Sequence, residues 1–481
     1  MTRRSVDRLI VHGHVFTMEG SGVGAIDDGA VAIAGDSIVA AGPTPEILAS
    51  YESQETIDAS RFAVLPGLVD CHVHSPESLL RGVAQDVPDY MERAMAPFSR
   101  ALRALDADLW LAGTRLNVLE ALKAGTTTTM DYTTPYPGWA AFYEQVGLRA
   151  RLTPTINGLA PGAMSRAQGK PYEMDDAKGR RMLEAALAFA DRWDGAAEGR
   201  ITVMMGPQAP DMLSRELLLE IKQIADQRGM MIHMHVAQGD REIHQMEARY
   251  GVRSIPFLEK LGYLDEQLFA VHLTEATDDE VRTLVKHGVS MGVCSGCIGL
   301  LDGIVPPAAL FRREGGMVGL GTDSASSNNC ISLFNEMKLT ALFNKIQAKR
   351  PDVIPAWEAL RMATIEGARA IGLGDRIGSL EPGKQADLIL VDLDKPNLSP
   401  VVRTPIRNIV PNLVYAATGH EVDSVIVAGQ FLMRDCVVVT ADESAIRADA
   451  QDAAEEISRR VLANPQHKDL ALLDAMRDGK L

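Results

Sequence analysis

Residues 64–74 read Val64-Leu65-Pro66-Gly67-Leu68-Val69-Asp70-Cys71-His72-Val73-His74, an apolar run that contains Pro-Gly and ends in two histidines. In a β-strand, successive side chains alternate between two faces, so His72 and His74 project to the same side. Two neutral imidazoles at this spacing can clamp a metal ion. His12 and His14 share the spacing in another strand-like stretch. The spacing alone therefore does not identify a metal site, and the rest of the chain has to decide.

The composition is that of a globular protein that binds a small molecule. The chain has 481 residues, of which 46% are hydrophobic and 23% charged, and its formal net charge is −16. An acidic surface disfavours nucleic acid or an anionic membrane as partner, because both bind basic surfaces. The N-terminal residues lack the apolar segment of a signal peptide, and no apolar run approaches the roughly 18 residues of a membrane span. We therefore expect a cytoplasmic protein with a small-molecule substrate.

The five cysteines do not form the pattern of a disulfide-stabilised protein. Cys294-Ser-Gly-Cys297 has the spacing of a redox or zinc-binding pair. It follows a strand-like stretch instead of opening a helix, and the chain has no second pair of this kind. We expect neither a redox nor a structural zinc role for it.

The two ends of the chain share a pattern of short β-type runs broken by Gly and Asp, which is typical of hairpins. These runs cover residues 6–20 and 30–42 near one end and residues 386–392 and 422–435 near the other. Because the ends of a domain that carries an insertion lie close together, we predict a small composite β-sandwich domain from residues 1–63 and 374–440. Residues 441–481 are predicted to form a C-terminal helical segment.

Between these ends, apolar strand-like runs alternate with helical patterns. Several of the helices are predicted to end at a glycine, as at Gly125, Gly229 and Gly288, where a left-handed C′ residue is needed. Counting the run that ends at His74, there are eight β/α units of the kind found in a buried parallel sheet. The sequence therefore predicts an α/β chain in which residues 64–373 form a (β/α)8 TIM barrel, with its active site at the carboxyl ends of the strands.

Polar residues lie at the predicted carboxyl ends of four of these strands. His72 and His74 end strand 1, His235 ends strand 5, His272 ends strand 6, and Asp323 ends strand 8. Each has an ordinary structural interpretation, such as a core histidine or a helix cap. Four histidines and a carboxylate that converge on one barrel mouth, however, indicate a hydrolytic metal site.

Six ordered motifs resemble the amidohydrolase superfamily, in particular the branch of chlorotriazine hydrolases and cytosine-, guanine- and adenosylhomocysteine-type deaminases. The resemblance covers nearly the whole chain and implies a barrel with a composite sheet domain. The motifs are Pro66-Gly-Leu-Val-Asp-Cys-His-Val-His74, Leu79-Leu-Arg-Gly82, His235-Val-Ala, Val271-His272, Gly321-Thr-Asp-Ser-Ala-Ser-Ser-Asn-Asn329 and Ile377-Gly-Ser-Leu-Glu-Pro-Gly-Lys-Gln-Ala-Asp-Leu-Ile-Leu-Val391.

The resemblance implies one divalent metal ion per subunit, with zinc favoured over iron, cobalt or manganese. Two-metal relatives carry a bridging lysine on strand 4, and residues 201–208 contain none. The implied ligands are His72, His74, His235 and Asp323, with His272 beside them. A divalent ion activates water at neutral pH. Asp323 can then move a proton from that water to the leaving group, and His272 can orient the water. Relatives are usually homo-oligomers, so we expect a dimer or larger assembly.

Three departures from the branch concern the substrate. Deaminases and triazine hydrolases read His-x-x-Glu after strand 5, where this chain has Gln238, and Gln208 stands where relatives carry His on strand 4. The loop from Cys294 to Leu300 differs from the usual Cys-Pro-x-Ser-Asn. Glutamine donates and accepts hydrogen bonds but delivers no proton. Addition of water to an aromatic ring needs that proton, whereas a carbonyl is already electrophilic.

The favoured hypothesis is a mononuclear metal hydrolase that cleaves the C–N bond of an amide-, urea- or (thio)carbamate-like molecule, with Gln238 as a neutral catalytic partner. The alternative is a deaminase or dechlorinase of an aminated heterocycle such as a purine, pyrimidine or s-triazine, in which Glu77 or Glu242 supplies the acid. A third possibility is a non-catalytic relative, which the complete set of rim residues disfavours. We expect substrate contacts from Glu77, Arg81, Gln208 and Cys297.

Overall fold

The computed structural model describes residues 3–83, 85–86, 95–166, 169–467 and 470–480. The outermost residues of the predicted terminal segments, 1–2 and 481, lie outside the described residues. The strands, in chain order, are β1 (Arg4–Phe16), β2 (Ala25–Ala34), β3 (Ser37–Pro43), β4 (Tyr51–Asp58), β5 (Phe62–Pro66), β6 (Leu68–Val73), β7 (Thr126–Thr133), β8 (Arg149–Ile156), β9 (Ile201–Val203), β10 (Gly206–Pro207), β11 (Ile232–Val236), β12 (Leu268–His272), β13 (Ser290–Val293), β14 (Val318–Leu320), β15 (Leu388–Asp392), β16 (Val422–Val427), β17 (Gln430–Arg434) and β18 (Val437–Val438).

Helices alternate with the central strands, and further helices follow the last strand, β18. Among the described residues, short 3-10 helices cover Ser75–Leu80, Pro210–Met212 and Pro465–His467. The α-helices are α1 (Thr44–Ser50), α2 (Ala96–Arg103), α3 (Ala107–Lys123), α4 (Trp139–Val146), α5 (Ala163–Arg166), α6 (Asp176–Trp193), α7 (Ala196–Gly199), α8 (Arg215–Arg228), α9 (Gly239–Tyr250), α10 (Ser254–Lys260), α11 (Asp278–Lys286), α12 (Ser295–Leu301), α13 (Ala308–Arg313), α14 (Leu333–Ala348), α15 (Ala356–Met362), α16 (Ile365–Ala370), α17 (Ile409–Tyr415), α18 (Glu443–Ala463) and α19 (Ala471–Arg477).

Strands β6 to β14 form the predicted parallel barrel. One sheet contains β6, β7, β8 and the two short segments β9 and β10, which together occupy the fourth position, and a second contains β11 to β14. Parallel bridges join the two sheets, Met205 with Ile232 on one side and Val73 with Asp323 on the other. The bridges close the ring, and the TIM-barrel prediction is confirmed.

Local sequence explains where the barrel helices begin and end. Gly229 follows α8 with a φ of 64°, the left-handed conformation predicted for a C′ residue. Thr277 caps α11 through a capping box, since its hydroxyl accepts from the Glu280 N–H while the Glu280 carboxylate accepts from the Thr277 N–H. The Gly229 cap fixes where the loop into β11 begins, and the Thr277 cap fixes where the loop that leaves β12 at the barrel mouth ends.

The two ends of the chain meet in a single nine-stranded sheet. Its order is β18-β17-β16-β15-β5-β1-β2-β3, and β4 pairs with β1. The contact between the ends is β15 against β5, antiparallel, with Leu388 opposite Pro66. A buried apolar cluster from both ends, including Ile10, Val31 and Ile426, packs on this sheet.

The apolar run that leads to His72 and His74 contributes strands to both parts of the fold. Residues 62–66 form β5 in the terminal sheet, and residues 68–73 form the first barrel strand. Gly67 lies between them, and a Cβ atom there would stand 2.0 Å from the Thr127 hydroxyl oxygen. Only glycine permits this close approach of sheet and barrel. Gly67 therefore lies where the chain leaves the terminal sheet and enters the first barrel strand.

The C-terminal helix α18 packs on the barrel near its mouth. Its buried residues Ala453, Ile457 and Val461 lie in one cluster with Leu79 and Leu80 from the 3-10 helix that follows His74. None of the helices in the described part of the chain is long and apolar enough to cross a membrane.

Candidate active site

The five rim residues predicted from the sequence lie together at the carboxyl ends of the strands. The His72 ring centroid lies 4.7 Å from that of His74, 4.9 Å from that of His235 and 5.4 Å from that of His272. The Asp323 carboxylate completes the cluster, with Oδ1 3.6 Å from His74 Nε2 and Oδ2 3.7 Å from His272 Nε2. The site is almost closed to solvent, because only His74 among the five is more than slightly exposed.

Backbone hydrogen bonds hold Asp323 in register with the histidine pair. The Asp323 N–H donates to the His72 carbonyl at 2.8 Å, and the His74 N–H donates to the Asp323 carbonyl at 3.4 Å. Asp323 and His272 also adopt positive φ angles, 58° and 77°. Such backbone conformations cost energy in residues other than glycine and concentrate at functional sites. The side chains of Asp323 and His272 are therefore held in place by strained backbone conformations.

The imidazoles of His74 and His235 are oriented by backbone carbonyls. His74 Nδ1 lies 2.7 Å from the Tyr132 carbonyl oxygen, and His235 Nδ1 lies 2.8 Å from the Gln208 carbonyl oxygen. A carbonyl only accepts, so each Nδ1 carries the proton and each Nε2 keeps its lone pair. This is the arrangement by which proteins prepare a histidine to bind a metal through Nε2.

His72 is oriented by a second histidine that lies beneath the cluster. His72 Nδ1 lies 2.8 Å from His233 Nε2, and His233 Nδ1 lies 3.0 Å from the Thr153 hydroxyl. A proton on each Nδ1 satisfies both contacts and leaves His72 Nε2 as an acceptor. That atom is buried and has no hydrogen-bond partner among the described residues. A buried polar atom without a partner is costly, and a metal ion supplies one.

Burial favours the neutral form of His72, His235 and His272. Burial, reinforced by His74, lowers the pKa of His235 to about 3, and burial and neighbouring histidines hold the pKa of His72 and His272 well below the usual value. Burial raises the pKa of Asp323, which His74 and a hydrogen bond from the Cys297 thiol partly offset. Neutral imidazoles are the form that binds metals.

The donor set fits one divalent metal ion. His72, His74 and Asp323 form one group whose ligand atoms lie within 4.8 Å of one another, and His72, His235 and His272 form another. Nitrogen ligands from histidine with one carboxylate oxygen suit zinc. Each of the four ligands implied by the family resemblance is therefore present in the cluster.

Two of the predicted substrate contacts are anchored beside this cluster. The Glu77 carboxylate accepts a hydrogen bond from the Ser326 hydroxyl at 2.8 Å, and its charge contributes to the raised pKa of Asp323. The Gln208 side-chain oxygen accepts from the Asn157 amide. Gln238 ends the turn that follows β11, and its half-buried side-chain amide forms no hydrogen bond with the described residues.

Two other polar residues from the sequence analysis are engaged elsewhere. Arg81 donates to the Glu120 carboxylate and the Asn329 carbonyl, which joins loops at the barrel mouth; that it also contacts substrate stays a prediction. Glu242 is fully buried and accepts from Ala237 N–H, Gln238 N–H and the Ser254 hydroxyl. Its carboxylate holds the Gln238 turn, so it is not free to replace a catalytic acid.

The Cys294–Cys297 segment lies against the cluster. Cys297 is buried, and its thiol donates a hydrogen bond to Asp323. Cys294 belongs with His272 and Asp323 to a third group of ligand atoms within 4.8 Å of one another. The loop from Cys294 to Leu300 was expected to line the pocket, but the place of the Cys294 thiol among the ligand atoms was not predicted, because the approach of β13 to β14 is a tertiary contact.

The sequence analysis also gave no role to His233 or to the pairing of Asp70 with Thr322. His233 lies two residues before His235, so the two-residue period of a strand places both on one face. That period was a usable signal for a supporting histidine. The Asp70–Thr322 contact joins residues far apart in the chain and has no local signal.

Comparison with known proteins gives a consistent set of relatives. The profile of the amidohydrolase family matches residues 63–432. A 5-methylthioadenosine/S-adenosylhomocysteine deaminase of Pelotomaculum thermopropionicum is 36% identical over 455 residues, which cover 94% of this chain and 99% of that protein.

Two solved structures are similar over nearly the whole chain. An adenosine deaminase from Xanthomonas campestris with bound zinc has a TM-score of 0.86 and 30% identity, covering 95% of this chain and 100% of that one. An atrazine chlorohydrolase from Arthrobacter aurescens TC1, complexed with zinc, has a TM-score of 0.81 and 22% identity, covering 93% and 100%. The second likeness concerns the fold alone.

Proposed function

The chain belongs to the amidohydrolase family and is a metal-dependent hydrolase of carbon–nitrogen bonds, and we propose that its substrate is a small amide-, urea- or (thio)carbamate-like molecule. The family resemblance read from the sequence motifs is thereby confirmed. One divalent metal ion per chain, zinc, serves as the cofactor. The observation that carries the proposed substrate class is Gln238, at the position where the branch places a proton-donating glutamate.

Gln238 limits the chemistry because its side chain cannot deliver a proton. Attack of water on an aromatic carbon creates negative charge on a ring nitrogen, which needs a proton from the enzyme. Attack on an acyl carbon places the charge on the carbonyl oxygen, where a cation and a hydrogen-bond donor suffice. A neutral amide that is free to donate suits the second reaction.

The residues of this chain have distinct tasks in that reaction. A divalent ion bound by His72, His74, His235 and Asp323 supplies Lewis acidity and lowers the pKa of water at the site. Asp323 accepts a proton from the attacking water and passes it to the departing nitrogen. His272, which has no hydrogen-bond partner among the described residues for either ring nitrogen, orients the water. Gln238 donates to the substrate.

The remaining substrate contacts are proposed from their positions. Glu77 lies close enough to Asp323 to affect its pKa, and Gln208 provides the carbonyl that orients His235. Cys297 donates to Asp323 and, in this proposal, lines the pocket. Arg81 is proposed to reach the substrate only at the outer edge of the mouth, since Glu120 binds its guanidinium.

A deaminase of an adenosine-like compound is the second candidate, and the names of the relatives favour it. In this candidate Glu77 replaces the missing acid. The support is that Glu77 is a half-buried carboxylate near Asp323 and is held by Ser326.

Exchange of one residue separates the two candidates. We expect Gln238→Glu to give little or no ammonia release from aminated purines, because the acyl chemistry does not use an acid there. Gln208→Glu is the matched control, since it places the same carboxylate on the neighbouring strand end. A large gain of ammonia release in Gln238→Glu alone, or its loss from the wild type in Glu77→Gln, would favour the deaminase.

We also propose that the nine-stranded sheet forms a small β-sandwich domain of its own. A separate apolar cluster, to which both chain ends contribute, supports this division. The boundary that we propose for it lies at Gly67, with the barrel continuing to about residue 373 and the helical segment beginning at residue 441. Assembly into a homo-oligomer and a cytoplasmic location remain predictions.

A further inference from the structure

Asp323 presents its two carboxylate oxygens to two different sets of ligand atoms. Oδ1 faces His72 Nε2 at 3.9 Å and His74 Nε2 at 3.6 Å. Oδ2 faces His272 Nε2 at 3.7 Å. The two oxygens therefore lie on two sides of the carboxylate, one towards the His72–His74 pair and the second towards His272.

On that second side lie two further donors. Cys294 Sγ, a His272 ring nitrogen and an Asp323 oxygen all lie within 4.8 Å of one another, and all three residues are buried. Neither ring nitrogen of His272 has a hydrogen-bond partner among the described residues. Two unpaired nitrogens in one buried ring are costly, and a single water or metal ion can satisfy only one of them.

Gly321 explains how the thiol comes so close. A Cβ atom on Gly321 would lie 2.8 Å from the His72 Cβ and 3.0 Å from Cys294 Sγ. The glycine therefore lets the end of β14 lie against both His72 and the thiol. Burial and the nearby Asp323 carboxylate raise the pKa of Cys294 well above the usual value, so the thiol stays protonated until a cation stabilises the thiolate.

We propose that His272, Cys294 and Asp323 form a second binding position for a soft divalent cation such as zinc or cadmium, filled when that metal is in excess. The inference rests on the proposed one-metal hydrolase site and concerns its regulation. The Cys294 thiolate supplies a negative charge of its own, the Asp323 carboxylate is shared between the two ions, and thiolate selects soft ions. Binding releases one proton, from the Cys294 thiol, to solvent.

Filling this position inhibits the enzyme. The ion occupies His272, which orients the attacking water, and the Asp323 oxygen that faces it. His272 then no longer orients the water, and Asp323 no longer transfers the proton. Excess zinc is therefore expected to lower the rate without displacing the first ion.

The test is a stepwise titration of metal-free protein with cobalt(II), followed by absorbance, released protons and bound metal after desalting. The first equivalent is expected to give no thiolate-to-cobalt charge-transfer absorption. The second is expected to give this absorption in the near ultraviolet, to release one further proton and to coincide with the loss of activity. A protein that binds one equivalent and shows no such absorption overturns the inference and leaves the proposed function standing. A protein that binds no metal overturns the proposed function itself.

Cysteine variants test whether the charge-transfer absorption comes from the Cys294 thiolate. Cys294→Ser is expected to bind the first equivalent and lose the second, and retention of the first shows that the variant is folded. Cys436→Ser is the matched control, because Cys436 is an exposed free thiol away from the cluster. Absorption that persists in Cys294→Ser, or disappears in Cys436→Ser, contradicts the assignment.

Discussion

The Asp70 carboxylate accepts two hydrogen bonds from Thr322, one from its N–H at 3.0 Å and one from its hydroxyl at 2.6 Å. Asp70 lies two residues before His72, and Thr322 directly precedes Asp323. The pair therefore ties the first barrel strand to the end of the last, at the level of the ligands. It fixes the distance between the histidine pair and the carboxylate that completes the site.

We predict that Thr322→Val weakens metal binding. The substitution keeps the shape of the side chain but removes the hydroxyl, so the buried Asp70 carboxylate loses a donor. Supporting contacts of this kind change metal affinity by roughly 10–100-fold, and the unsatisfied group lowers the free energy of unfolding by about 1–3 kcal/mol. Chelator competition measures the affinity. Thr322→Ser, which keeps the hydroxyl, should retain most of it, and equal affinity in all three proteins would refute the role.

We predict that His233→Ala weakens metal binding, because it removes the contact that orients His72. His72 Nδ1 loses its acceptor, so the ring can rotate or shift its proton to Nε2. We expect metal affinity to fall by roughly 10–100-fold, while His14→Ala, a buried histidine in the terminal sheet, leaves it unchanged. His233→Gln places an amide near the lost nitrogen and should restore part of the affinity. A metal affinity in His233→Ala equal to that of the wild type would show that this contact does not orient His72.

The buried Glu336 makes stability depend on pH. Its carboxylate accepts from the Gly296 N–H and the Asn328 amide, and burial raises its pKa to about 8, with Asp70 contributing in the same direction. The folded pKa lies above the unfolded value of 4.5. The stabilisation is therefore complete below pH 4.5 and is lost as pH rises towards 8, by at most about 1.4 kcal/mol per pH unit.

Glu336→Gln isolates this contribution. The difference in free energy of unfolding between the variant and the wild type, measured by denaturant titration, should shift in favour of the variant as the pH is raised from 5 to 8. The buried carboxylates that do not interact with Glu336 cancel in the difference, whereas the coupling between Glu336 and Asp70 is part of what the difference measures. A difference that is constant over this range would place the pKa of Glu336 near its ordinary value.

The sequence was most informative where local rules determine structure. Gly229 and Thr277 fix helix ends through conformation and capping, and the strand ends at His235 and Asp323 follow from the β/α alternation. Those rules sufficed to predict the barrel and to bring the proposed ligands to one rim. The sequence did not show where residues 64–74 pass from the terminal sheet to the barrel, because the run is apolar on both sides of Gly67.

The contacts that need the fold itself could not be predicted. Arg81 forms an ion pair with Glu120, and Glu242 accepts a hydrogen bond from the Gln238 N–H. No spacing in the sequence indicates either contact. The same is true of the thiol of Cys294 beside His272. Charge and polarity identify such residues as candidates for the site. Their contacts in the folded chain show whether each one has a structural or a catalytic role.

The most direct test of the central claim is product analysis with the zinc-loaded wild-type protein. The substrates are an N-aryl amide, an N-aryl urea, an N-aryl carbamate and adenosine, and the released aryl amine and ammonia are measured separately. We predict release of aryl amine from at least one of the first three and no ammonia from adenosine, because Gln238 cannot protonate a ring. Ammonia from adenosine with no aryl amine from the other three would contradict the claim.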